Sequence, residues 1–596
     1  MHRVRHTGKL ARLIVLDLAL LDATSEPGFW DEARRRAAAV AGCLAPDPEH
    51  GALVYLPGRL DPRNCSSSAI DSGECTDALG RLLLHRRAAT LPPAERQRLE
   101  ETVAGNAGTY LADKLASTAI TNQRLWGAMG LATAARWRPQ AYWIDAVRGA
   151  VASALAEQRA DGSWGYEPGA AGHGAAPGAG DLTVYYHSRC LAFLYRIVDC
   201  LPELDGPGVD AALRRGGAFL AGVITPDGRK PLALEGKRWF WAGAAEAGSN
   251  AFDVFALHRG ADRFGVDAWR DLAARSWGQL VAHQAADGRV AGGDRPDTPD
   301  FVCPTFHTAD TAWTAQVLDR LRPAAPAAPA AAPAGGAAPR VHHFPHAGVL
   351  RLESDQSVVL LRTSKCGRNT QWGGGIGGGA LIYAGDTAGG VDRLRPDREA
   401  PETAAAFTLY PGRPRRPAAA LRFRRTDPPG REGRQWLFVA RLLLAQGRPL
   451  AAARRLRDGY LRPLRWTLAD PAATHWATRV EVETLPAGRL RLSGQPARPG
   501  GDVPGWAAGV TFTREIWLDG AGHGGERLRV VDRLAREEAG AGPGGDAGLV
   551  VYRLPDAAGD VRLAGSQPVH RSGSDRRRVE LRPAGAAFFL RIAYSV

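Results

Sequence analysis

Residues 323–339 read PAAPAAPAAAPAGGAAP, and a stretch this dense in proline and alanine cannot build a core. Proline fixes φ and removes a backbone donor, so such a run forms an extended, semi-rigid spacer. It divides the 596-residue chain into two texts with different periods. Before it, apolar residues recur every three to four positions. After it, they alternate. We therefore expect a helical region over residues 1–322, a linker over 323–340 and a β region over 341–596. The composition, 45% hydrophobic and 23% charged, suits globular domains that bury more than one core.

The helical signal is carried by LADKLASTAITNQRLWGAMGLATAARW, YWIDAVRGAVASALAEQ, HSRCLAFLYRIVDCL, VDAALRRGGAFLAGVI, NAFDVFALHRGADRFG, WRDLAARSWGQLVAHQ and DTAWTAQVLDRL. Two of these run into similar turns, EQRADGSWGY at 157–166 and HQAADGRVAG at 283–292. Each is a helix, a Gln and then Ala-Asp-Gly, which predicts a repeated helical hairpin closed by an Asp-Gly turn. Stacked hairpins of this kind close into an α/α toroid. Beyond the linker, QSVVLLRTS, GALIYAG, RQWLFVARLLLA, TRVEVETL, RLRLSG, GVTFTREIWLDG, ERLRVVDRLA, GLVVYRLP and AFFLRIAYS read as strands joined by Gly, Asp and Pro turns. The fold class expected is multidomain α+β: an N-terminal (α/α) incomplete toroid, then a C-terminal antiparallel β-sandwich of the supersandwich type.

The formal net charge is +14. Lys+Arg and Asp+Glu stand at 37 against 37 in residues 1–340, which leaves 39 of the 76 bases against 25 of the 62 acids in residues 341–596. A basic surface concentrates anionic partners. Arginine dominance also follows from GC-rich coding, since only 5 of the 76 bases are Lys. No apolar run reaches the ~20 residues of a membrane helix, so no membrane span is expected. The seven cysteines are scattered and odd in number, which is neither a disulfide framework nor a zinc spacing. Arg3, Arg5, Lys9 and Arg12 precede LIVLDLALL, but Asp17 interrupts that run. Leu10, Ile14, Leu18 and Leu21 fall on one helical face, so this segment is read as structure, not as an export signal. Cytoplasmic localisation is the default, with periplasmic or secreted placement left open.

Four stretches stand out: TNQRLWGAMGLATAARW (121–137), DGSWGYEPG…TVYYHSRCLAFLYRI (161–197), FPHAGVLRLESDQSVVLLRTS (344–364) and TFTREIWLDG…ERLRVVDRL (511–534). With a helical toroid ahead of a wide β region, they resemble the heparinase II/III-like polysaccharide lyases and their alginate-lyase relatives. One stretch departs from the family. After the second β-strand these lyases often place a His-rich loop, whereas KCGRNTQWGGGIGGGALIYAG (365–385) holds no histidine. A base or a metal at that loop is therefore not expected.

The resemblance implies β-elimination on a uronic-acid polysaccharide. The C5 proton is weakly acidic because the adjacent carboxylate is already negative, so the enzyme must neutralise that carboxylate. A base takes the proton and an acid protonates the leaving oxygen. Tyrosine serves either role when positive charge stabilises its phenolate. No cofactor is obligatory; a structural divalent metal is left open, but the sequence supports none and assigns no metal ligands. The resemblance assigns Asn122 as neutraliser, with Gln123 and Arg124 beside it, and Tyr186 as acid/base. Tyr185 and His187 are alternatives for that second role. The residue types alone also permit bland roles: Asn122 as a helix cap, the tyrosines and His187 as packing.

Candidate sugar-binding residues are Trp164, Lys237, Arg238, Trp239, Trp241, Asn369, Gln371, Trp372 and His475, with Tyr166 another aromatic candidate. His343 and His346 read as solvated or packing residues, and His307 as packing. The partner expected is an anionic polysaccharide, not nucleic acid. Other readings remain: a glycoside hydrolase using carboxylates among Asp161, Glu167, Asp181 and Glu246, a non-catalytic glycan-binding protein, and a terpene-cyclase-like toroid suggested by Gln158 to Trp164.

Overall fold

A computed structural model describes residues 7–46, 51–55, 69–165, 184–231, 234, 250–286, 288, 290, 303–320, 339–364, 377–387, 393–394, 406–411, 440–441, 443–445, 447–456, 479–497, 503, 507–522, 525–536, 547–555, 558–566, 570–571, 578–581 and 587–596. The Pro/Ala linker lies almost wholly outside these residues.

The first part of the chain holds α1 (Thr7–Thr24), α2 (Gly28–Ala41), a small hairpin of β1 (Leu44–Pro46) and β2 (Leu53–Tyr55), α3 (Ala69–Leu84) and α4 (Pro93–Asn106). A π-helical turn (Ala107–Leu111) leads into α5 (Ala112–Ser117), followed by α6 (Thr121–Trp137), α7 (Ala141–Glu157) and α8 (Val184–Cys200). Then come α9 (Pro207–Val223), α10 (Asn250–Phe264), α11 (Asp267–Ala282) and α12 (Cys303–Ala315). Four helices, α3, α6, α8 and α10, are buried on almost every face. With α1 and α12 they form a ring in the order α1, α3, α6, α8, α10, α12 and back to α1. By contrast α2, α4, α7, α9 and α11 bury one stripe each, at helical spacing, and form the outer layer. The inner ring is closed. The toroid is incomplete only in its outer layer, where no described helix follows α12 to pair with it.

The inner helices run parallel. Trp126 meets Phe193 at 5.0 Å between centroids, and Thr133 meets Cys200 at 3.4 Å, the same offset along α6 and α8. Between α3 and α6 the backbones touch. A Cβ on Gly73 would lie 2.4 Å from the Trp126 carbonyl oxygen, and one on Gly130 would lie 2.3 Å from that of Gly73. Only glycine allows this approach.

The Asp-Gly turns are present as expected, and there is a third. Gly162, Gly228 and Gly288 have φ of 86°, 88° and 82°. Gln158 and Gln284 each donate to the carbonyl four residues on, at 3.0 and 3.1 Å. Connections from inner to outer helices are short, at 25–27, 85–92, 138–140, 201–206 and 265–266. Four of the five returns are long, at 42–68, 158–183, 224–249 and 283–302. Because the inner helices are parallel, the long segments all attach at the end where those helices begin. We call that end the mouth.

The second part is antiparallel. One sheet is β3 (Arg340–Phe344), β4 (Val349–Glu353), β5 (Ser357–Arg362) and β6 (Leu381–Asp386), in that order. Further along come β7 (Ala406–Pro411), β8 (Glu481–Leu485), β9 (Arg489–Gly494), β10 (Val510–Gly522), β11 (Gly525–Arg536), β12 (Ala547–Arg553), β13 (Gly559–Gly565), β14 (His570–Arg571), β15 (Arg578–Leu581) and β16 (Phe588–Ser595). They build a six-stranded sheet, β13-β16-β11-β10-β9-β8, and a four-stranded sheet, β14-β15-β12-β7. The three sheets share one apolar core that includes Leu350, Leu361, Phe512, Val530, Val550 and Ile592. The opposite face of the first sheet, with Val349, Val358 and Leu360, packs on Val184, Phe219 and Val223 of the helices. Burial on both faces explains why SVVLLR reads as an unbroken apolar run.

Two expectations need correction. The pattern of RQWLFVARLLLA predicts a strand, but its described residues are helical. Ala440 and Leu443 pack on Ala452, and Gly447, at φ 70°, ends the turn. The periodicity of 111–137 predicts one helix, but the segment breaks at 118–120 into α5 and α6.

Replacing Gly73 with Val should destabilise the fold by about 1–3 kcal/mol through overpacking between α3 and α6. Gly149→Ala, on an open face of α7 with nothing within 4 Å, should stabilise it by about 0.5–1 kcal/mol. Chemical denaturation of both variants checks this; an unchanged Gly73→Val midpoint would contradict the close approach.

Candidate functional site

The axis of the ring is filled, not open. Trp126, Phe193, Phe252 and Trp313 form an aromatic tier: Phe193 lies 6.0 Å from Phe252 and 5.6 Å from Trp313, and Phe252 lies 5.1 Å from Trp313. Beside this tier sits a buried ionic network. Arg12 donates to Glu74 Oε1 at 2.9 Å and Oε2 at 2.6 Å, and Trp126 Nε1 donates to the same Oε2 at 2.6 Å. Asp310 on α12 pairs with Arg12, with Lys9 at 3.2 Å and with Arg189 at 3.2 Å. Burial, then the neighbouring Arg12, holds the Lys9 ammonium well below its ordinary lysine value. Asp71 also acts on Lys9 and favours its charged form, so the acids Glu74, Asp310 and Asp71 surround the cations here.

Arg189 links this network to the tyrosines. Its Nη2 donates to the Tyr185 hydroxyl at 2.7 Å, and its guanidinium lies 3.8 Å from the Tyr185 ring centroid and 5.7 Å from that of Tyr186. The two rings meet edge to face at 5.3 Å. Tyr185 is buried and Tyr186 half-buried. Tyr186 stands seven residues before Phe193, two turns up the same face toward the mouth.

Asn122 occupies the matching place on α6, one turn before Trp126. The helix begins after Ile120 without a side-chain cap, so Asn122 does not serve as one. Its side chain is buried at 3% exposure, and its Nδ2 has no hydrogen-bond partner among the described residues. A buried amide donor without a partner is costly, so an acceptor brought by water or by a bound group would satisfy it. The offset between α6 and α8 puts Asn122 level with Arg189. Tyr186 is three residues, about 4.5 Å of helix rise, nearer the mouth.

The other expected residues divide. Arg124 is buried; it donates to the Thr118 carbonyl at 2.9 Å and pairs with Glu157, so it fastens the start of α6. Thr121 donates to the same Glu157 at 2.7 Å. Gln123 is half-buried on α6. His187 points outward, between the rings of Trp164 at 5.1 Å and Phe219 at 4.8 Å, with Nε2 2.8 Å from the Gly216 carbonyl oxygen. Burial drops its pKa to about 4. That is a core histidine, turned away from the axis. Trp164 is likewise core, at 1% exposure, and donates to the Ala154 carbonyl at 2.8 Å. It offers no open face for stacking on a sugar. His343, on β3, lies 3.3 Å from Thr363 Oγ1, and burial lowers its pKa. The His346 carbonyl accepts from Arg159 at 3.0 Å.

Asp161, a candidate hydrolytic acid, is occupied. It accepts from the Ser163 hydroxyl at 2.7 Å and from the Ala347 amide at 2.8 Å, and so fastens the α7–α8 turn to the β region. Tyr166, Glu167, Asp181, Lys237, Arg238, Trp239, Trp241, Glu246, Asn369, Gln371, Trp372, His475 and the side chain of His307 lie outside the described residues. Among those described, no three His, Cys, Asp or Glu side chains gather as a metal group. No described helix is long and apolar enough to cross a membrane. Arg189, Asp310 and Glu74 were not singled out from sequence. The Tyr185–Arg189 spacing of four was a usable signal for the first. Nothing local marks the other two.

No protein-family model matches the chain, and no curated protein matches it. Solved structures do. One is a glycosyl hydrolase of family 88 from Bacteroides vulgatus, at 12% identity and TM-score 0.42, covering 54% of this chain and 94% of that one. A polysaccharide lyase matches at 12% identity and TM-score 0.40, covering 54% and 91%. A mutant of chondroitin AC lyase from Streptomyces coelicolor matches at 12% identity and TM-score 0.48, covering 98% of this chain and 74% of that one.

Two predictions follow from the buried charges. Asp310→Ala removes a buried carboxylate that Arg12, Lys9 and Arg189 all pair with, and should destabilise the protein by about 3–5 kcal/mol in denaturant titrations. For His187, the unfolded chain takes up a proton near pH 6.5 and the folded one only near pH 4. Its contribution is present above about pH 6.5 and is lost as the pH falls toward 4. Unfolding titrations at pH 4.5 and 7.5 should show His187→Gln flattening that limb by up to about 3 kcal/mol.

Proposed function

We propose that this chain is a polysaccharide lyase that cleaves a uronic-acid-containing anionic glycan by β-elimination at the mouth of the helical ring. In this reading the β region is a stacked sandwich that walls one side of the site. The observation that carries the proposal is the unpartnered amide of Asn122, buried on the helix next to the Tyr185, Tyr186 and Arg189 group.

Asn122 donates its free N–H to the uronate carboxylate, which lets negative charge build at C5 as the proton leaves. Tyr186, the more open phenol, takes the proton and returns it to the leaving oxygen. The Arg189 guanidinium, fixed by Asp310 and Tyr185, supplies the positive charge that a phenolate needs. The two carboxylates at the ring axis, Glu74 and Asp310, are saturated by cations and by Trp126, so neither acts as a hydrolytic acid.

Turnover is read as ultraviolet absorbance of the unsaturated product on alginate, heparan, hyaluronan, chondroitin and bacterial exopolysaccharides. Asn122→Ala should lower kcat by about 10²–10³-fold. Tyr186→Phe should lower it by about 10²–10⁴-fold while polymer binding persists. Full activity in Tyr186→Phe would move the acid/base role to Tyr185, and full activity in Asn122→Ala would remove the basis of the assignment.

A further inference from the structure

The charge excess of the C-terminal part is not absorbed by the ring, and the six-stranded sheet shows one place where it accumulates. In β9, β10, β11 and β16 the even positions enter the shared core: Leu490, Leu492, Phe512, Ile516, Leu528, Val530, Leu534, Leu590 and Ile592 are all buried. The odd positions form the opposite face. The first sheet separates the shared core from the helices, so this odd face is directed away from the ring and its mouth.

Most charges on the face are matched. Arg491 pairs with Glu515 at 2.9 Å and Glu483 at 3.0 Å, and Arg489 pairs with Glu515 at 2.9 Å. Arg529 pairs with Asp519 at 3.1 Å and Asp560 at 3.3 Å. Three arginines differ. Arg533 on β11 stands directly opposite Arg591 on β16. Arg562 on β13 stands opposite Ala593, diagonal to Arg591. All three are exposed, and none has an ion pair among the described residues.

Like charges directly opposite each other destabilise a sheet. Planar guanidinium forks side by side are also the usual receptor for carboxylate or sulfate groups. Next to them on the same face, the Phe589 ring is 38% exposed. Thr513 continues the row on β10, opposite Arg533.

We propose that this face is a second, non-catalytic binding site for an anionic glycan strand, a polyuronate. Its acidic groups lie on Arg533, Arg591 and Arg562, and one sugar covers Phe589. The choice of polymer rests on the lyase reading; the anion site itself does not. A single nucleic-acid strand is the less suited ligand, because it stacks on successive aromatic platforms. Here one ring is open, while the other aromatic on the face, Trp517, is covered by Arg489 at 4.5 Å.

The test is affinity electrophoresis of the full chain through gels holding alginate, hyaluronan, neutral dextran or single-stranded DNA. Every protein carries Asn122→Ala to spare the polymer. The proposal expects retardation by a polyuronate and none by dextran. Arg533→Gln/Arg591→Gln should weaken retention about tenfold, with a thermal midpoint equal or higher because a like-charge pair is gone. Arg489→Gln/Arg491→Gln removes the same charge from paired positions and should leave retention unchanged. Equal losses in both double variants would mean a net-charge effect and overturn the site. So would retention unaffected by Arg533→Gln/Arg591→Gln, no retention by any polyuronate, or stronger retention by DNA. If no unsaturated product ever forms but polyuronate retention still depends on Arg533 and Arg591, the lyase reading fails and the site stands.

Discussion

Asp310 and Glu74 hold the ring together at its axis. Each is a carboxylate removed from water, which is costly unless every lone pair finds a donor. Glu74 receives both arms of Arg12 and the Trp126 indole. Asp310 receives Arg12, Lys9 and Arg189. Four of the six inner helices, α1, α3, α8 and α12, are thereby joined through two acids, and α6 enters through Trp126. The contact between α1 and α12 closes the circle, and it is ionic where the α3–α6 contact is glycine against backbone. The network is also what orients Arg189 beneath the tyrosines, so the floor of the mouth and the closure of the ring are one construction.

The β region packs against the helices at the mouth end. Its first sheet lays an apolar face on the start of α8 and on α9. Polar contacts fix the angle: Asp161 to the Ala347 amide, Arg159 to the His346 carbonyl, and Arg351 to the Ile224 carbonyl at 2.9 Å. These fasten two of the Asp-Gly turns, whose following segments lead to α8 and α10. The β region also has a buried tie of its own. Arg514 donates to both oxygens of Asp532 at 2.6 Å, and Tyr552 donates to the same carboxylate. Arginine on β10 and aspartate on β11 are directly paired in register, so even this interior charge is satisfied across one strand gap.

The order of the fold was legible because period and composition change at one place. Helices α6 to α12 announced themselves, as did most strands, since their buried faces repeat regularly. The helices α2, α3 and α4 went unread. In α3 the reason is physical: Ser72, Gly73, Glu74, Thr76 and Asp77 are all buried inside the ring, so polarity no longer reports exposure. The strand misread near Leu443 followed from a short apolar run, which periodicity alone cannot assign. At the site, Asn122, Tyr185 and Tyr186 do gather on neighbouring helices near one end of the ring. His187 and Trp164 do not, because one residue along a helix turns a side chain by about 100°, from the axis to the outer layer. Asp310 was illegible because its partners lie up to 301 residues away in the chain.

The central claim is chemical, that the mouth breaks a glycosidic link without adding water. Mass spectrometry of the chain ends produced from a polyuronate tests it directly. The account predicts a new non-reducing end lighter by one water than the hydrolytic product, formed by the wild type and far more slowly by Asn122→Ala. Saturated ends, heavier by that water, would contradict it.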